Sequence, residues 1–142
     1  MDWFIVDSMR NLSKNGYDIT LVSDMDDEFI KRNIDYARCI NLSMNRGVSI
    51  KDIFKCTYFL YKLFKKENFD IVYYTSPNVS LYAAIAGFLS RTKIRYYSQC
   101  GLRYVSFSGI KRKIFKTVEK ITCIFSTTVM AQSQLKMKFA ID

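Results

Sequence analysis

The stretch DIVYYTSPNVSLYAAIAGFLSRTKIRYYS, residues 70–98, decides the fold. Residues 70–75 are rich in β-branched and aromatic side chains and predict a strand, and 94–98 predicts a second one. Between them, 79–90 predicts an apolar helix whose alanines and glycine let it lie close against a sheet. A strand, a helix and a strand in this order are typical of a βαβ unit, which makes the two strands parallel.

The same alternation continues in both directions from this unit. Ile5, Met9 and Leu12 follow a helical period that ends at Asn15-Gly16, with Gly16 as the left-handed residue. The further predicted segments are strands at 17–23, 38–42 and 127–131, helices at 49–67 and 110–124, and a last helix from near Ser133. The sequence therefore predicts an α/β fold: a Rossmann-like, doubly wound parallel sheet covered on both faces.

Both ends of this predicted domain differ from a typical doubly wound domain. Such a domain opens on its central strand, but here a helix comes first, and the final predicted helix stops at Asp142. We therefore expect one domain, 1–142, that lacks its first strand.

Composition excludes several classes of active site. The chain has no His, so it cannot supply a Ser-His-Asp or Cys-His nucleophile or an imidazole zinc ligand. The four Cys form no CxxC pair, so we expect no metal site and interpret them as buried thiols. The acidic start is unlike a secretory signal, and the longest apolar run, 81–89, is shorter than the ~20 residues of a membrane span.

The positive charge is concentrated in one part of the chain. The net charge is +9 overall, and residues 91–120 alone carry nine basic and one acidic residue. The helix at 110–124 is predicted to have a polar face that carries five basic residues and one acidic residue, Glu119. The basic residues are Lys111, Arg112, Lys113, Lys116 and Lys120. Such a helix either rests on an anionic membrane surface or presents an ordinary solvated face. A nucleic-acid partner is not expected, because no row of stacking aromatics accompanies these charges.

Two loops at the carboxyl ends of predicted strands are candidate binding sites, because ligands bind there in open α/β sheets. The first is Ser76-Pro77-Asn78, where Ser76 or Asn78 either caps the next helix or helps to bind a ligand. The second contains Gln99, Cys100, Gly101 and Arg103, which form either a binding loop or an ordinary surface turn. No glycine-rich phosphate loop is present, so nothing in this chain predicts a bound nucleotide.

Several of these segments together resemble the acceptor-side half of the family-4 glycosyltransferases of the GT-B fold. The junction NGYDITLV and the strand FDIVYYTSP resemble family motifs, as do the later segments. These segments lie at 15–22, 69–77, 94–104, 109–114, 118–123 and 129–133. By appearance, the most similar members are bacterial enzymes that build capsular or exopolysaccharide repeat units.

The resemblance implies a sugar transfer from a nucleotide-sugar donor to a hydroxyl of a saccharide or lipid-linked acceptor. It assigns donor binding to a second, C-terminal domain that these residues do not include, so no cofactor is expected in this chain. Many relatives carry His, or sometimes Arg, where this chain has Cys100. The resemblance therefore assigns no catalytic residue in this chain, and it predicts that residues 76–78, Gln99, Cys100, Gly101 and Arg103 bind the acceptor.

Two organisations are compatible with this resemblance. In one, the chain is a truncated transferase that is inactive alone. In the other, it is a non-catalytic subunit that anchors a separate donor-binding polypeptide to the membrane. Both place the protein in the cytoplasm, peripherally on the inner face of the plasma membrane.

Overall fold

The computed structural model describes residues 2–43, 50–100 and 103–131. The chain divides into two compact units, residues 1–44 and 45–142, and each is described by itself. Both units combine helices with parallel strands, so the α/β class is confirmed.

The first unit contains two helices and two strands. They are α1 (Asp2–Lys14), β1 (Thr20–Ser23), α2 (Asp27–Asn33) and β2 (Arg38–Asn41). Gly16 follows α1 with a φ of +84°, and its N–H donates to the carbonyl of Ser13 at 3.0 Å, which confirms the predicted helix end. Asp26 caps α2 by accepting the N–H of Phe29 at 2.7 Å.

The second unit contains the stretch that decides the fold. Its elements are α3 (Ile50–Glu67), β3 (Ile71–Tyr74), α4 (Pro77–Leu89), β4 (Ile94–Gln99), a 3-10 turn (Arg103–Ser106), α5 (Gly109–Phe125) and β5 (Thr128–Ala131). The strands lie in the order β3-β4-β5, and both neighbouring pairs are parallel. The predicted βαβ unit is therefore confirmed, whereas the 3-10 turn was not predicted.

Among the described residues, the strands form two hydrogen-bonded parallel sheets. The first unit contains β1-β2 and the second contains β3-β4-β5. In the three-stranded sheet, alternate residues, including Val72, Tyr74 and Tyr97, are buried under α4 and α5. On the opposite face of this sheet, Ile71 and Tyr73 are exposed. The strands β3, β4 and β5 lie side by side in chain order. Because crossover connections between parallel strands share one hand, the helices of both connections lie on the same face of this sheet.

Helix α4 is the centre of the second unit. It packs between α3 and α5 and against β3 and β4. Ala84 and Ala86 are fully buried, and Gly87 lies against Arg95, since an added Cβ would come 3.0 Å from its Cδ atom. The small residues therefore allow the close packing that the sequence predicted.

Helix α5 buries a different face from the one predicted. Ile110 and Ile114, expected to cover the sheet, are 78% and 50% exposed. Glu119 and Thr122 are buried instead, and Glu119 is only 8% exposed. The prediction that Glu119 shares the basic face is therefore wrong. Two hydrogen-bond donors on β4, Tyr97 and Gln99, account for this orientation, because both donate to Glu119.

Candidate functional site

The carboxyl ends of β3 and β4 bring polar side chains together. Thr75 follows β3 and Cys100 follows β4, and the Thr75 Oγ1 atom lies 2.6 Å from the Cys100 Sγ atom. The hydroxyl oxygen of Ser98 lies 3.9 Å from the same sulfur. We call these three residues and Ser76 the strand-end cluster. It stands where ligands bind in open α/β sheets.

Ser76 occupies the N-cap position of α4, but its hydroxyl makes no capping hydrogen bond. Its backbone carbonyl accepts the N–H of Ser80 at 2.8 Å, which is the first bond of the helix. The backbone of Pro77 and Asn78 forms the first turn of α4, and their side chains lie outside the described residues. Because Ser76 caps the helix through its backbone alone, its hydroxyl can interact with a ligand.

Beneath the strand-end cluster, three buried side chains form a hydrogen-bonded group that we call the Glu119 group. Tyr97 O–H donates to Glu119 Oε1 at 2.7 Å, and Gln99 Nε2 donates to the same oxygen at 2.5 Å. Gln99 is wholly buried, and its Oε1 atom has no hydrogen-bond partner in the part of the chain that the structure describes. Tyr97 also stacks on Tyr74, with ring centroids 5.8 Å apart. These contacts connect α5 to the end of β4.

Burial and the carboxylate together change the acidity of the neighbouring groups. Burial, then the charge of Glu119, raises the pKa of Tyr97 well above its usual value. The same two causes raise the pKa of Cys123 to about 11. Burial also raises the pKa of Tyr74, and the hydrogen bond to Ser126 opposes this effect in part. All three groups therefore keep their protons at neutral pH.

These shifts predict that the second unit loses stability in alkaline solution. Unfolded thiols and phenols lose protons near their ordinary pKa values of 9.0 and 10.0, whereas the folded protein retains them at higher pH. The unfolded state then binds fewer protons, so the contribution of these groups to the free energy of unfolding is unchanged near neutral pH and falls as the pH rises past 9. Urea unfolding followed by circular dichroism between pH 7 and pH 11 measures this. The Tyr97→Phe variant is expected to show a weaker dependence, and an equal slope in both proteins would contradict the assignment.

The cysteines differ in exposure. Cys56 is buried, as the sequence interpretation requires, whereas Cys39 and Cys123 are half-buried and Cys100 is exposed. The interpretation of all four as buried thiols is therefore wrong for Cys100. Cys100 is exposed because it follows the last residue of β4, where the chain leaves the part of the sheet that helices cover.

The remaining residues of the second candidate loop are only partly described. Gly101 lies outside the described residues, and Arg103 begins the 3-10 turn with its backbone alone described. Tyr104 in this turn is buried, and Phe107 stacks on Phe115 of α5 at 4.9 Å between ring centroids. The chain after Arg103 is therefore anchored to α5 by aromatic packing.

The basic residues of α5 all lie on the surface. Lys111, Arg112, Lys113, Lys116 and Lys120 are exposed, and so are the neighbouring Ile110 and Ile114. We call the exposed surface formed by these seven residues the α5 basic face. No helix within the described part of the chain has both the length and the apolar character required to cross a bilayer. The described residues also include no group of three potential metal ligands.

Thr75, Tyr97 and Glu119 belong to this site, but sequence reasoning did not select them. Glu119 gave one signal: it falls four residues after Phe115 and three before Thr122, on one side of a helix. For Thr75, the only signal in the sequence is its place at the end of a predicted strand. Its contact with Cys100 depends on the pairing of β3 with β4.

Parallel strands, covering helices and a polar cluster at the strand ends define a Rossmann-like domain of the kind found in glycosyltransferases. The family model described as "Glycosyl transferase 4-like" matches residues 2–133. The chain therefore belongs to the glycosyl transferase 4-like family, as the resemblance predicted. No curated protein matches the chain.

Proposed function

We propose that this chain is the acceptor-side part of a glycosyltransferase that acts in cell-surface polysaccharide biosynthesis. The acceptor is a hydroxyl of a saccharide or of a lipid-diphosphate-linked sugar, and the donor is a nucleotide sugar. The family match over residues 2–133 is the observation that carries this proposal. A further domain or a separate subunit binds the donor, because no phosphate-binding motif occurs in this sequence.

The strand-end cluster supports the acceptor half of this proposal. Ser76 has a hydroxyl that is not used for capping, and Cys100 is exposed at the end of the neighbouring strand, β4. Two uncharged polar groups of this kind suit sugar hydroxyls, which both donate and accept hydrogen bonds. We assign Ser76 and Cys100 to acceptor binding. Pro77, Asn78, Gly101 and Arg103 remain predicted members of the same site. Gln99 was also predicted to bind the acceptor, but its side chain is wholly buried against Glu119 and is not assigned to acceptor contact.

Acceptor binding tests this proposal. Saturation-transfer difference NMR is recorded with a short-chain polyprenyl diphosphate sugar, and separately with a nucleotide sugar. We expect the first to bind and the second to give no signal. Ser76→Ala is expected to weaken acceptor binding about 3- to 10-fold, the effect of one neutral hydrogen bond.

Ser90→Ala is the matched control for this experiment. Ser90 lies at the opposite end of α4, where its hydroxyl donates to the carbonyl of Gly87 at 3.1 Å. We expect this variant to bind the acceptor like the unchanged protein. Equal weakening by both variants, or binding of the nucleotide sugar alone, would refute the proposed acceptor site.

The α5 basic face supports a membrane-associated acceptor. Lysine and arginine side chains attract anionic headgroups, and Ile110 and Ile114 supply apolar groups that enter the interface between headgroups and acyl chains. We therefore propose that the protein works peripherally on the inner face of the plasma membrane, where a lipid-linked acceptor resides.

A further inference from the structure

Gln99 joins the buried and the exposed parts of the candidate site. It is the last residue of β4, and the next residue, Cys100, belongs to the strand-end cluster. The side chain of Gln99 is wholly buried and donates through Nε2 to Glu119. Gln99 and Cys100 are joined by a single planar peptide unit, so the position of Gln99 restricts that of Cys100.

Glu119 decides which way the Gln99 amide faces. A carboxylate only accepts hydrogen bonds, so the amide nitrogen of Gln99 must face it; the reversed amide would bring two oxygens together. In this orientation the Gln99 Oε1 atom is buried and has no hydrogen-bond partner among residues 2–43, 50–100 and 103–131. A buried acceptor without a partner is destabilising, so stability alone does not explain the arrangement.

Glu119 also differs from the other buried polar residue of α5. Thr122 donates to the carbonyl of Val118 at 2.9 Å and so bonds within its own helix. Glu119 instead bonds to two side chains of β4, and both donors are neutral. Loss of Glu119 would therefore leave two donors at the end of β4, Tyr97 O–H and Gln99 Nε2, without this acceptor. The two contacts to β4 therefore indicate a positional role.

We propose that Glu119 is a positioning residue for the acceptor site: through Gln99 it holds the end of β4, and so keeps Cys100 at its spacing from Thr75. This inference rests on the proposed function for its acceptor. The held end of the strand presents the strand-end cluster in one fixed geometry, which reduces the loss of conformational freedom when a hydroxyl-bearing ligand binds.

The alkylation rate of Cys100 measures this positioning without any substrate. The complete 142-residue chain is treated with iodoacetamide at pH 8, and peptide mass mapping separates Cys100 from the other three cysteines. Glu119→Leu removes the hydrogen-bond acceptor, so we expect Cys100 to react about fivefold faster or more as the strand end opens locally. Glu119→Gln retains one oxygen that both donors can reach, so we expect a rate within about twofold of the unchanged protein.

Thr122→Val is the structural control, because it changes a buried polar residue on the same face of α5 without touching β4. Urea unfolding gives the stability of each variant, and the rates are compared at equal fractions folded. Similar rates for Glu119→Leu and Thr122→Val would overturn the proposal, and so would a fast rate for Glu119→Gln.

The same reaction separates this inference from the proposed function. A short-chain polyprenyl diphosphate sugar is expected to protect Cys100 in the unchanged protein and in Glu119→Gln, but at least fivefold less in Glu119→Leu. No protection of any protein, together with the expected rates, would refute the acceptor assignment and leave the positioning role intact. Equal protection of all three proteins would refute the coupling of Glu119 to the acceptor.

Discussion

Reversal of four charges on α5 is expected to abolish binding of the protein to anionic vesicles. The variant changes Lys111, Arg112, Lys113 and Lys116 to Glu. Each basic residue near an anionic surface contributes about 1 kcal/mol, so the loss of four lowers the vesicle affinity by about a thousandfold, and the added acidic groups lower it further. Sedimentation with vesicles that contain phosphatidylserine measures this affinity. Unchanged sedimentation would refute the membrane role of the α5 basic face.

Helix α3 offers a matched control for the charge itself. Lys51, Lys55, Lys65 and Lys66 are exposed on α3. Each change of Lys to Glu lowers the net charge by two, so changing all four takes it from +9 to +1, as in the α5 variant. If the surface of α5 is specific, the α3 variant still sediments with the vesicles. Equal loss in both variants would mean that only net charge matters.

Replacement of Tyr97 by alanine is expected to remove a large part of the stability of the second unit. Tyr97 is 1% exposed, stacks on Tyr74 and donates to Glu119. Removal of a buried aromatic side chain costs about 3–5 kcal/mol, and the cavity next to the Glu119 carboxylate adds to this. Small domains have about 5–15 kcal/mol of stability in total, so much of it is lost. Guanidinium unfolding followed by circular dichroism measures the change.

The neighbouring Tyr96 is the control for this substitution. It lies on the opposite face of β4, where it stacks on Tyr73 with ring centroids 5.6 Å apart, and it is only half-buried. We expect Tyr96→Ala to cost less than half as much as Tyr97→Ala, because little buried volume is lost. Comparable costs at the two positions would show that the burial of this sheet is not one-sided.

The local pattern of the sequence predicts the order and the kind of the elements well. The period of 79–90 and its small residues predict α4, and the β-branched and aromatic runs on either side predict β3 and β4. Asn15-Gly16 predicts the end of α1, because only glycine adopts the left-handed conformation without cost. These features depend on residues close together in the chain, so local physics is sufficient for them.

The candidate site follows from the sequence only in outline. The rule that ligands bind at the carboxyl ends of strands selects Ser76 and Cys100, but it does not place Cys100 against Thr75. That contact joins residues 25 positions apart and exists because β3 and β4 pair in one register. Likewise, the sequence places Gln99 in a loop, whereas the structure buries it as the last residue of β4.

Helix α5 shows most clearly what the sequence determines and what the tertiary structure determines. Its sequence by itself determines a helix with a basic surface, because the charged residues recur with the helical period. Only the tertiary structure decides which side faces the sheet. Tyr97 and Gln99 at the end of β4 provide hydrogen-bond donors, and Glu119 satisfies them, so the helix turns this residue inward and leaves Ile110 and Ile114 exposed. Hydrophobic periodicity counts apolar residues along one helix, but a buried polar contact depends on a partner from another strand.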